Sequence, residues 1–229
     1  MRLTTNMISV IVPTLNEAAS IAALIAETRH IGVCEIIVVD GGSTDETLAQ
    51  AASADRVIAS PRGRATQQNL GAAASCGEVL LFLHADCRLP AGAFDAIRAA
   101  LDDERTVGGC FLQTIAADGW LYRWLEWGNG LRVRWLRMAY GDQAVFVRKS
   151  VFEQLGRFPE VKLMEDVMLM KRLRHAGRFI LLPDRITVSA RRWQRHGLIR
   201  QTLRNWLLLT LALCGVPPNR LARFYPNTR

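Results

Sequence analysis

The stretch Glu35–Ser43, Glu-Ile-Ile-Val-Val-Asp-Gly-Gly-Ser, decides the fold class. Its four consecutive β-branched residues are typical of a strand buried on both faces, as in a parallel sheet. Asp40 stands at the carboxyl end of this strand, where a carboxylate is costly to bury without a partner. The two glycines that follow let another group approach the backbone closely. A nucleobase N–H and ribose hydroxyls would suit Asp40. A turn with a helix N-cap is the alternative, and it explains Ser43 and Thr44 but not Asp40.

Strand and helix patterns alternate on both sides of this stretch. The predicted strands are Ile8–Val12, Glu35–Asp40, Arg56–Ala59 and Val79–Leu83, and the predicted helices are Ala18–Arg29, Asp45–Ala54, Ala65–Ala74 and Ala91–Leu101. This order predicts an α/β fold with a mostly parallel sheet and helices on both faces. Ligands in such sheets bind at the carboxyl ends of the strands.

The second half of the chain is less regular. We predict strands at Val107–Thr114, Ala144–Val147, Phe179–Leu182 and Ile186–Ala190, and helices at Glu165–Ala176 and Leu198–Cys214. With no internal repeat and no low-complexity linker, the sequence favours a single domain over residues 1–229 with a C-terminal helical extension.

Composition excludes several classes of protein. In 229 residues, 50% are hydrophobic, which is enough for a core and excludes whole-chain disorder. No apolar run reaches the roughly 18–20 residues of a membrane-spanning helix. The run Ile8–Val12 is followed by Pro13 and Glu17 and has no cleavage site of a signal peptide. Five scattered cysteines without C-x-x-C spacing argue against a disulfide scaffold or a zinc ribbon. We therefore expect a reduced, cytoplasmic protein.

Charge is distributed unevenly. Residues 1–115 contain 8 basic and 13 acidic residues, whereas residues 116–229 contain 21 basic and 8 acidic ones, and only three of the basic residues are lysines. Arginine favours bidentate contacts with phosphate and carboxylate, so the second half is suited to a diphosphate or an anionic membrane surface. An Arg-rich codon bias with a solvated surface is the alternative.

Two further strand ends carry polar residues. Pro13-Thr14-Leu15-Asn16-Glu17 follows the first strand, where neither dinucleotide-type nor P-loop glycine motifs occur. Its Thr14-x-x-Glu17 spacing also fits a helix capping box, as does Ser43-x-x-Glu46. After the fourth strand, alternation predicts that His84 and Asp86 point to the same side and could hold Mg²⁺ or Mn²⁺ against a diphosphate. A structural histidine is the alternative.

An aromatic and basic segment spans Trp120–Tyr140. Its tryptophans (120, 124, 127 and 135) alternate with arginines, a composition typical of a water–lipid boundary. The apolar helix Leu198–Cys214 adds Trp206. Peripheral association with a membrane is one interpretation, and an aromatic core or a dimer contact is the other.

Taken in order, these motifs resemble the family 2 glycosyltransferases of GT-A fold. The resemblance rests on Pro13–Glu17, Ile36–Thr47, Asn69-x-Gly71, His84–Asp86, Tyr140–Gln143 and Met164–Asp166, and it spans about residues 7–225. More narrowly, Pro61–Ala65 and Ser189–Trp193 resemble the bacterial group called radical-SAM/selenodomain-associated transferase 2. The resemblance implies a nucleotide-sugar-binding half (7–115), an acceptor and catalytic half (116–197) and a helical extension (198–229).

The resemblance also implies residue roles. Asp166 matches the general base, with Glu165 beside it, and Asp86 matches the metal ligand, with His196 completing the metal site. His84 replaces the first acid of the family's D-x-D motif. Processive members carry a Q-x-x-R-W motif whose Gln is replaced here by Ser189, so no polymer product is inferred. The expected donor-binding residues are Pro13, Thr14, Glu17, Asp40, Gly42, Arg64, His84, Gly141, Asp142, Arg192 and Trp193.

The implied activity is transfer of a sugar from a UDP- or GDP-sugar to an acceptor that can be lipid-like, inverting the anomeric centre with help from Mg²⁺ or Mn²⁺. Glycosyl transfer needs a base for the acceptor proton and charge stabilisation on the departing diphosphate. For Glu165 and Asp166, the alternative role is to complement the helix dipole.

A sugar-nucleotide-synthesising nucleotidyltransferase is a second hypothesis, but the Gly-rich basic loop it needs is missing from Pro13–Glu17. A non-enzymatic basic adaptor that binds a membrane or nucleic acid is the third hypothesis. It does not explain why Asp40, Asp86 and Asp166 would converge at one sheet edge. We expect no nucleic-acid partner.

Overall fold

A computed structural model describes residues 7–222 of the protein, apart from the side chains at positions 196 and 213. The strands are β1 (Ile8–Thr14), β2 (Glu35–Asp40), β3 (Arg56–Ala59), β4 (Val79–Phe82), β5 (Cys87–Arg88), β6 (Thr106–Ala116), β7 (Phe146–Arg148) and β8 (Arg178–Ser189). The helices are α1 (Ala18–Ile31), α2 (Thr47–Gln50), α3 (Arg64–Ala74), α4 (Ala93–Leu101), α5 (Trp120–Leu136), α6 (Lys149–Gln154), α7 (Glu165–Ala176), α8 (Arg191–His196), α9 (Leu198–Leu213) and α10 (Pro218–Leu221), with a 3₁₀ turn at Gly141–Gln143.

The strands form one mixed sheet in the order β3-β2-β1-β4-β7-β6-β8-β5. The first four strands in this order are mutually parallel, as are β6 and β8. Strand β7 is antiparallel to both β4 and β6, and β5 is antiparallel to β8. The predicted α/β fold with a mostly parallel sheet and helices on both faces is therefore confirmed.

Alternating side chains of the central strands divide between two hydrophobic cores. On β2, Ile36 and Val38 belong to the core that contains α1 and α4, whereas Ile37 and Val39 belong to the core that contains α3, α6 and α7. All four are fully buried. This explains the uninterrupted β-branched run, because a strand covered on both faces needs apolar residues at every position.

The connections place the carboxyl ends of β1 and β4 at a switch point of the sheet. Strand β1 lies between β2 and β4, so the chain moves outward in one direction to β3 and then returns to the other side of β1. Crevices outside the carboxyl ends of strands at such a point are the usual ligand sites of open α/β sheets.

Several predicted elements differ from the structure. The strands expected at Phe179–Leu182 and Ile186–Ala190 are one strand, β8, whose register against β6 shifts between Phe111 and Leu112, opposite Pro183-Asp184. The helix expected at Asp45–Ala54 is only the short α2. Its start is shifted to Thr47, where Asp45 accepts hydrogen bonds from the backbone N–H and the hydroxyl of Thr47. Among residues 7–222, the helices are too short or too polar to cross a membrane.

Candidate active site

A pocket opens where the sheet edge meets α7, α8 and α9. Six residues that the sequence predicted as functional line it together: Arg64, His84, Gly141, Asp142, Asp166 and Arg192. The remaining lining residues are Tyr140, Leu163, Met164, Asn205 and Leu208. Residues about 140 positions apart in the chain thus converge on one cavity.

Asp166 is held in a fixed orientation at the wall of this pocket. Its Oδ2 accepts a hydrogen bond from the backbone N–H of Gly141 at 2.9 Å, and its Oδ1 accepts one from the N–H of Val167 at 2.7 Å. Met164, two residues before Asp166 and just before α7 begins, has a φ of 66°, a left-handed conformation that is strained for a bulky residue. A half-buried carboxylate oriented in this way can accept a proton from a hydroxyl group in the pocket.

Gly141 is required by close packing. A Cβ atom at this position would lie 3.0 Å from Nε2 of His84 and 3.7 Å from Oδ2 of Asp166. The glycine therefore lets the backbone approach both side chains and donate its N–H to Asp166. This gives a structural reason for the glycine in the Tyr140–Gln143 motif.

The two carboxylate oxygens of Asp142 differ in their hydrogen bonding. Its Oδ2 accepts a hydrogen bond from Nε2 of Gln113 at 3.0 Å, whereas its buried Oδ1 has no hydrogen-bond partner among the described residues. Burial raises the pKa of Asp142, an effect that the arginines 132 and 192 oppose. A buried acceptor beside the pocket is suited to a ligand hydroxyl.

Glu165 does not line this pocket, although it is adjacent to Asp166. Its buried carboxylate lies 3.4 Å from Nη1 of Arg64 on α3. Burial raises the pKa of Glu165, and the neighbouring Asp166 raises it further, while Arg64 lowers it. Glu165 therefore positions Arg64, which lines the pocket.

The carboxylate of Asp40 is already engaged by its own turn. Its Oδ2 accepts hydrogen bonds from the N–H groups of Gly42 and Ser43 at 3.0 and 2.8 Å. Its Oδ1 accepts bonds from the hydroxyls of Ser43 and Thr14 at 2.5 and 3.2 Å. Asp40 is 3% exposed. A turn, which was the alternative to nucleotide binding at this position, therefore accounts for Asp40 as well. The same contacts fix the carboxylate in one orientation at the end of β2.

Gln67 is a structural residue of this edge that sequence reasoning missed. Its Nε2 donates to the backbone carbonyls of Thr14 and Val39, both at 2.8 Å, and joins the ends of β1 and β2. A Cβ atom on Gly41 would lie 3.1 Å from the amide of Gln67, so this glycine makes room for the protein's own side chain. Gly42 differs, because it has a φ of 89° and lies at an exposed, open position.

The capping-box interpretations of the first two strand ends are wrong. Thr14 is the last residue of β1 and its hydroxyl faces Asp40, while the helix that begins after Glu17 has no side-chain cap. The hydroxyl of Ser43 instead accepts a hydrogen bond from the N–H of Asn16 at 2.8 Å. Pro13 is buried within β1, paired with Val39.

Arg191 links two predicted site acids. Its Nη2 lies 3.2 Å from the buried carboxylate of Glu17 and 3.8 Å from Oδ2 of Asp86. The neighbouring Arg192 lines the pocket, and Trp193 packs against the core that contains α1 and α4. Residues Arg191–His196 thus form the short helix α8, which Arg191 links to Glu17 after β1 and to Asp86 after β4.

The expected alternation of His84 and Asp86 is wrong. Strand β4 ends at Phe82, and the N–H of Cys87 bonds to the carbonyl of His84, so a turn replaces the strand. His84 lines the pocket, whereas Asp86 faces Arg191. Among the described residues no group of three or more His, Cys, Asp or Glu side chains could hold a metal ion. The side chain of His196 lies outside the described residues.

The family model "Glycosyl transferase family 2" matches residues 9–156. This match covers more than half of the chain. The protein belongs to glycosyl transferase family 2. Within this match, Asn69 exchanges two hydrogen bonds with the backbone of Phe158, and a Cβ atom at Gly71 would lie 2.5 Å from Ile11. The Asn69-x-Gly71 motif of this family member thus packs α3 against the sheet.

Curated relatives match part of the chain. A PGL/p-HBAD biosynthesis glycosyltransferase from Mycobacterium bovis (strain BCG / Pasteur 1173P2) is 31% identical over 162 residues, which cover 66% of this chain and 63% of that protein. Glycosyltransferase AglJ from Haloferax volcanii is 41% identical over 63 residues, covering 27% of this chain and 21% of AglJ. The chain thus spans less than two thirds of the length of these relatives.

Solved structures share the fold. S. aureus TarS 1–349 in complex with UDP has a TM-score of 0.66 at 20% identity, over 80% of this chain and 60% of that chain. Glucosyl-3-phosphoglycerate synthase from Mycobacterium tuberculosis, in complex with Mn²⁺, UDP and phosphoglyceric acid, has a TM-score of 0.65 at 18% identity, over 93% and 80%. These likenesses establish the GT-A-like α/β fold of the protein.

Proposed function

We propose that the protein transfers a sugar from a UDP- or GDP-sugar to an acceptor hydroxyl, with inversion of the anomeric centre. The observation that carries this proposal is the convergence of Asp166, Asp142 and two arginines on one pocket at the switch point of the sheet. Family membership and the nucleotide complexes of fold neighbours support it. The narrower resemblance to the radical-SAM/selenodomain-associated transferase 2 group stays a prediction.

In this proposal Asp166 is the general base. The acceptor hydroxyl attacks the anomeric carbon, forming a new C–O bond while the bond from that carbon to the diphosphate oxygen breaks. Asp166 takes the hydroxyl proton, and the electron pair of the broken bond leaves with the diphosphate. The N–H of Gly141, 2.9 Å from Oδ2 of Asp166, fixes the direction in which that proton is accepted.

The other pocket residues stabilise and orient the donor. Arg64 and Arg192 offer positive charge to the leaving diphosphate, and the ion pair with Glu165 keeps Arg64 in place. The unmatched Oδ1 of Asp142 accepts a hydrogen bond from a sugar or acceptor hydroxyl. Asp40, Thr14 and Pro13 hold the nucleoside at the other end of the site.

The residues present fit a divalent metal ion only when a diphosphate shares its coordination. Asp86 supplies a carboxylate of the kind that Mg²⁺ and Mn²⁺ prefer, but it faces the guanidinium of Arg191 across 3.8 Å. A bound ion would neutralise charge on the leaving diphosphate. We therefore propose that Asp86 holds Mg²⁺ or Mn²⁺ together with the nucleotide rather than alone.

We also propose that the surface formed by α5 and α9 docks on an anionic membrane. Trp120, Trp127, Trp135, Leu203 and Leu207 are between 60 and 78% exposed there. Tryptophan and arginine together favour the water–lipid boundary. Sedimentation with phosphatidylglycerol vesicles, but not with phosphatidylcholine vesicles, is the expected result.

A thermal-shift screen tests the central proposal. UDP or GDP with Mn²⁺ should raise the melting temperature more than either component alone, and Asp40→Ala should remove this shift. A nucleoside triphosphate that stabilises the protein more than any diphosphate would favour the nucleotidyltransferase hypothesis. If no nucleotide stabilises the wild-type protein, the proposed function is wrong.

A further inference from the structure

An apolar groove lies between α5 and α9, beside the candidate active site. Its lining includes Trp124, Trp127, Leu131 and Leu136 from α5, and Trp206 and Leu209 from α9. Its volume is about 400 Å³, within the usual range of small-molecule sites. Trp127 and Trp206 are 63 and 47% exposed, and contiguous exposed apolar surface of this kind marks a binding site more often than it marks an ordinary surface.

The groove and the catalytic pocket share their walls. Tyr140 lines both cavities. On α9, Asn205 and Leu208 line the pocket, whereas Trp206 and Leu209, one position further along the helix in each case, line the groove. A single helix therefore separates the two cavities, with Tyr140 bordering each of them.

Charge changes along the groove. Arg132 lines it, with its guanidinium 3.5 Å from the centre of the Tyr140 ring, and its Nη2 donates to Gln143 at 2.8 Å. Exposed arginines at positions 123 and 137 belong to the same segment. An occupant with an apolar chain and a polar or anionic end would match this arrangement, because the chain is covered by tryptophan and leucine while the polar end lies near Arg132 and the pocket.

We propose that this groove binds the apolar chain of the acceptor, which is then an amphiphile whose hydroxyl end reaches Asp166. This inference rests on the proposed function. The lining residues of α5 extend from 124 to 136, which at 1.5 Å per residue is about 18 Å. That length suits an alkyl or prenyl chain lying along the helix rather than a single small substituent.

Gly128 offers a way to fill the groove without disturbing the fold. It lines the groove in the middle of α5, and a Cβ atom added there meets no atom within 4 Å. Leucine has a higher helix propensity than glycine, so Gly128→Leu should keep α5 intact. Arg134→Leu adds the same side chain at an exposed position of α5 that does not line the groove and serves as the matched control.

The probe is 10-bromodecan-1-ol, because bromine quenches the fluorescence of nearby tryptophans. Quenching should saturate with the wild-type protein and with Arg134→Leu. Gly128→Leu should weaken the apparent affinity about tenfold or more, since the apolar surface of the groove is then occupied. The short 3-bromopropan-1-ol should quench without saturation in all three proteins.

Three results would overturn the inference. In the first, Gly128→Leu binds the ten-carbon probe as tightly as the wild type. In the second, the two alcohols quench alike. In the third, sedimentation shows a dimer that Gly128→Leu dissociates, so that a second copy covers the groove. Thermal stabilisation by UDP, measured on the same samples, separates the two proposals. Its absence from the wild type contradicts the proposed function, whereas its presence without saturable probe binding contradicts only this inference.

Discussion

The two halves of the site differ in how far the protein satisfies its own polar groups. At the ends of β1 and β2, the carboxylate of Asp40 accepts four hydrogen bonds from its turn and from Thr14, and Gln67 joins the two strand ends. At the Gly141–Gln143 turn, Asp142 keeps one buried oxygen without a partner among the described residues, and burial raises its pKa. The first region is preorganised to bind, whereas the second keeps one carboxylate oxygen of Asp142 open to a ligand hydroxyl beside the hydrogen-bonded Asp166.

The largest expected effect concerns Asp166. Asp166→Asn keeps the size of the side chain but removes proton acceptance, so turnover should fall by about 10²–10⁴-fold. Glu165→Gln is the control, since Glu165 points to Arg64 and should reduce turnover less. The measurement is sugar transfer, or slow hydrolysis of the donor if no acceptor is at hand. Near-normal turnover of Asp166→Asn would contradict its role as base.

A substitution of Gln67 tests the region at the ends of β1 and β2. Gln67→Met keeps the volume but removes one donor from each of the carbonyls of Thr14 and Val39, which retain the N–H of Gly41 at 2.9 Å and the hydroxyl of Thr14 at 3.4 Å. The loss of two buried hydrogen bonds should lower the free energy of unfolding by about 1–3 kcal/mol. UDP affinity should fall as well, because the strand ends separate, while turnover at saturating donor stays close to that of the wild type. Urea denaturation and calorimetry check this. A loss of turnover without a loss of stability would contradict the division between the two regions.

Asp142→Asn should change the stability of the fold in the opposite direction to Gln67→Met. Its pKa is raised, so the folded protein keeps the proton above the ordinary aspartate value of 3.8, where the unfolded chain has lost it. Rising pH therefore costs folding free energy at this site. Asp142→Asn should stabilise the protein at pH 7 by about 1 kcal/mol and flatten the loss of stability above pH 3.8, while reducing turnover. Melting temperatures from pH 4 to 8 test this, and a destabilised variant at pH 7 would contradict it.

The smallest effect concerns the junction of the two regions at Arg191. Arg191 is 57% exposed and faces Asp86, so it competes with a cation for that carboxylate. Arg191→Met should raise Mn²⁺ affinity in the presence of UDP by no more than about fivefold, as expected for an exposed ion pair. Electron paramagnetic resonance of free Mn²⁺ measures it. A lower affinity would show that Arg191 instead holds the diphosphate.

The sequence predicted the sheet and the pocket members in the parallel half well. Runs such as Ile36–Val39 report burial on both faces directly, and Glu35–Asp40 and Arg56–Ala59 have the predicted bounds. The turn after β4 was missed, because period-2 alternation assumes that the strand continues through His84. Strand β8 was divided because Pro183-Asp184 reads as a break, although β6 accommodates it by a register shift.

Tertiary contacts account for the site residues that the sequence did not reveal. Asn205 and Leu208 line the pocket from α9, at the other end of the chain from β1, and their local pattern is that of an ordinary amphipathic helix. Tyr140 belongs to the Tyr140–Gln143 motif, but the sequence did not indicate a role for its side chain. The structure places it at the border of two cavities. Gln67 lies in an Ala-rich helix, where nothing indicates its two bonds to strand carbonyls.

The most direct test of the division between binding and chemistry is a side-by-side UDP titration of two variants by calorimetry, with Mn²⁺ present. Asp166→Asn should keep a UDP dissociation constant close to that of the wild type, because its contacts are with the Gly141 turn and its own helix. Asp40→Ala should weaken UDP by about tenfold or more, since it removes a charged acceptor that is fixed by four hydrogen bonds. Equal losses in both variants, or a loss confined to Asp166→Asn, would contradict the account.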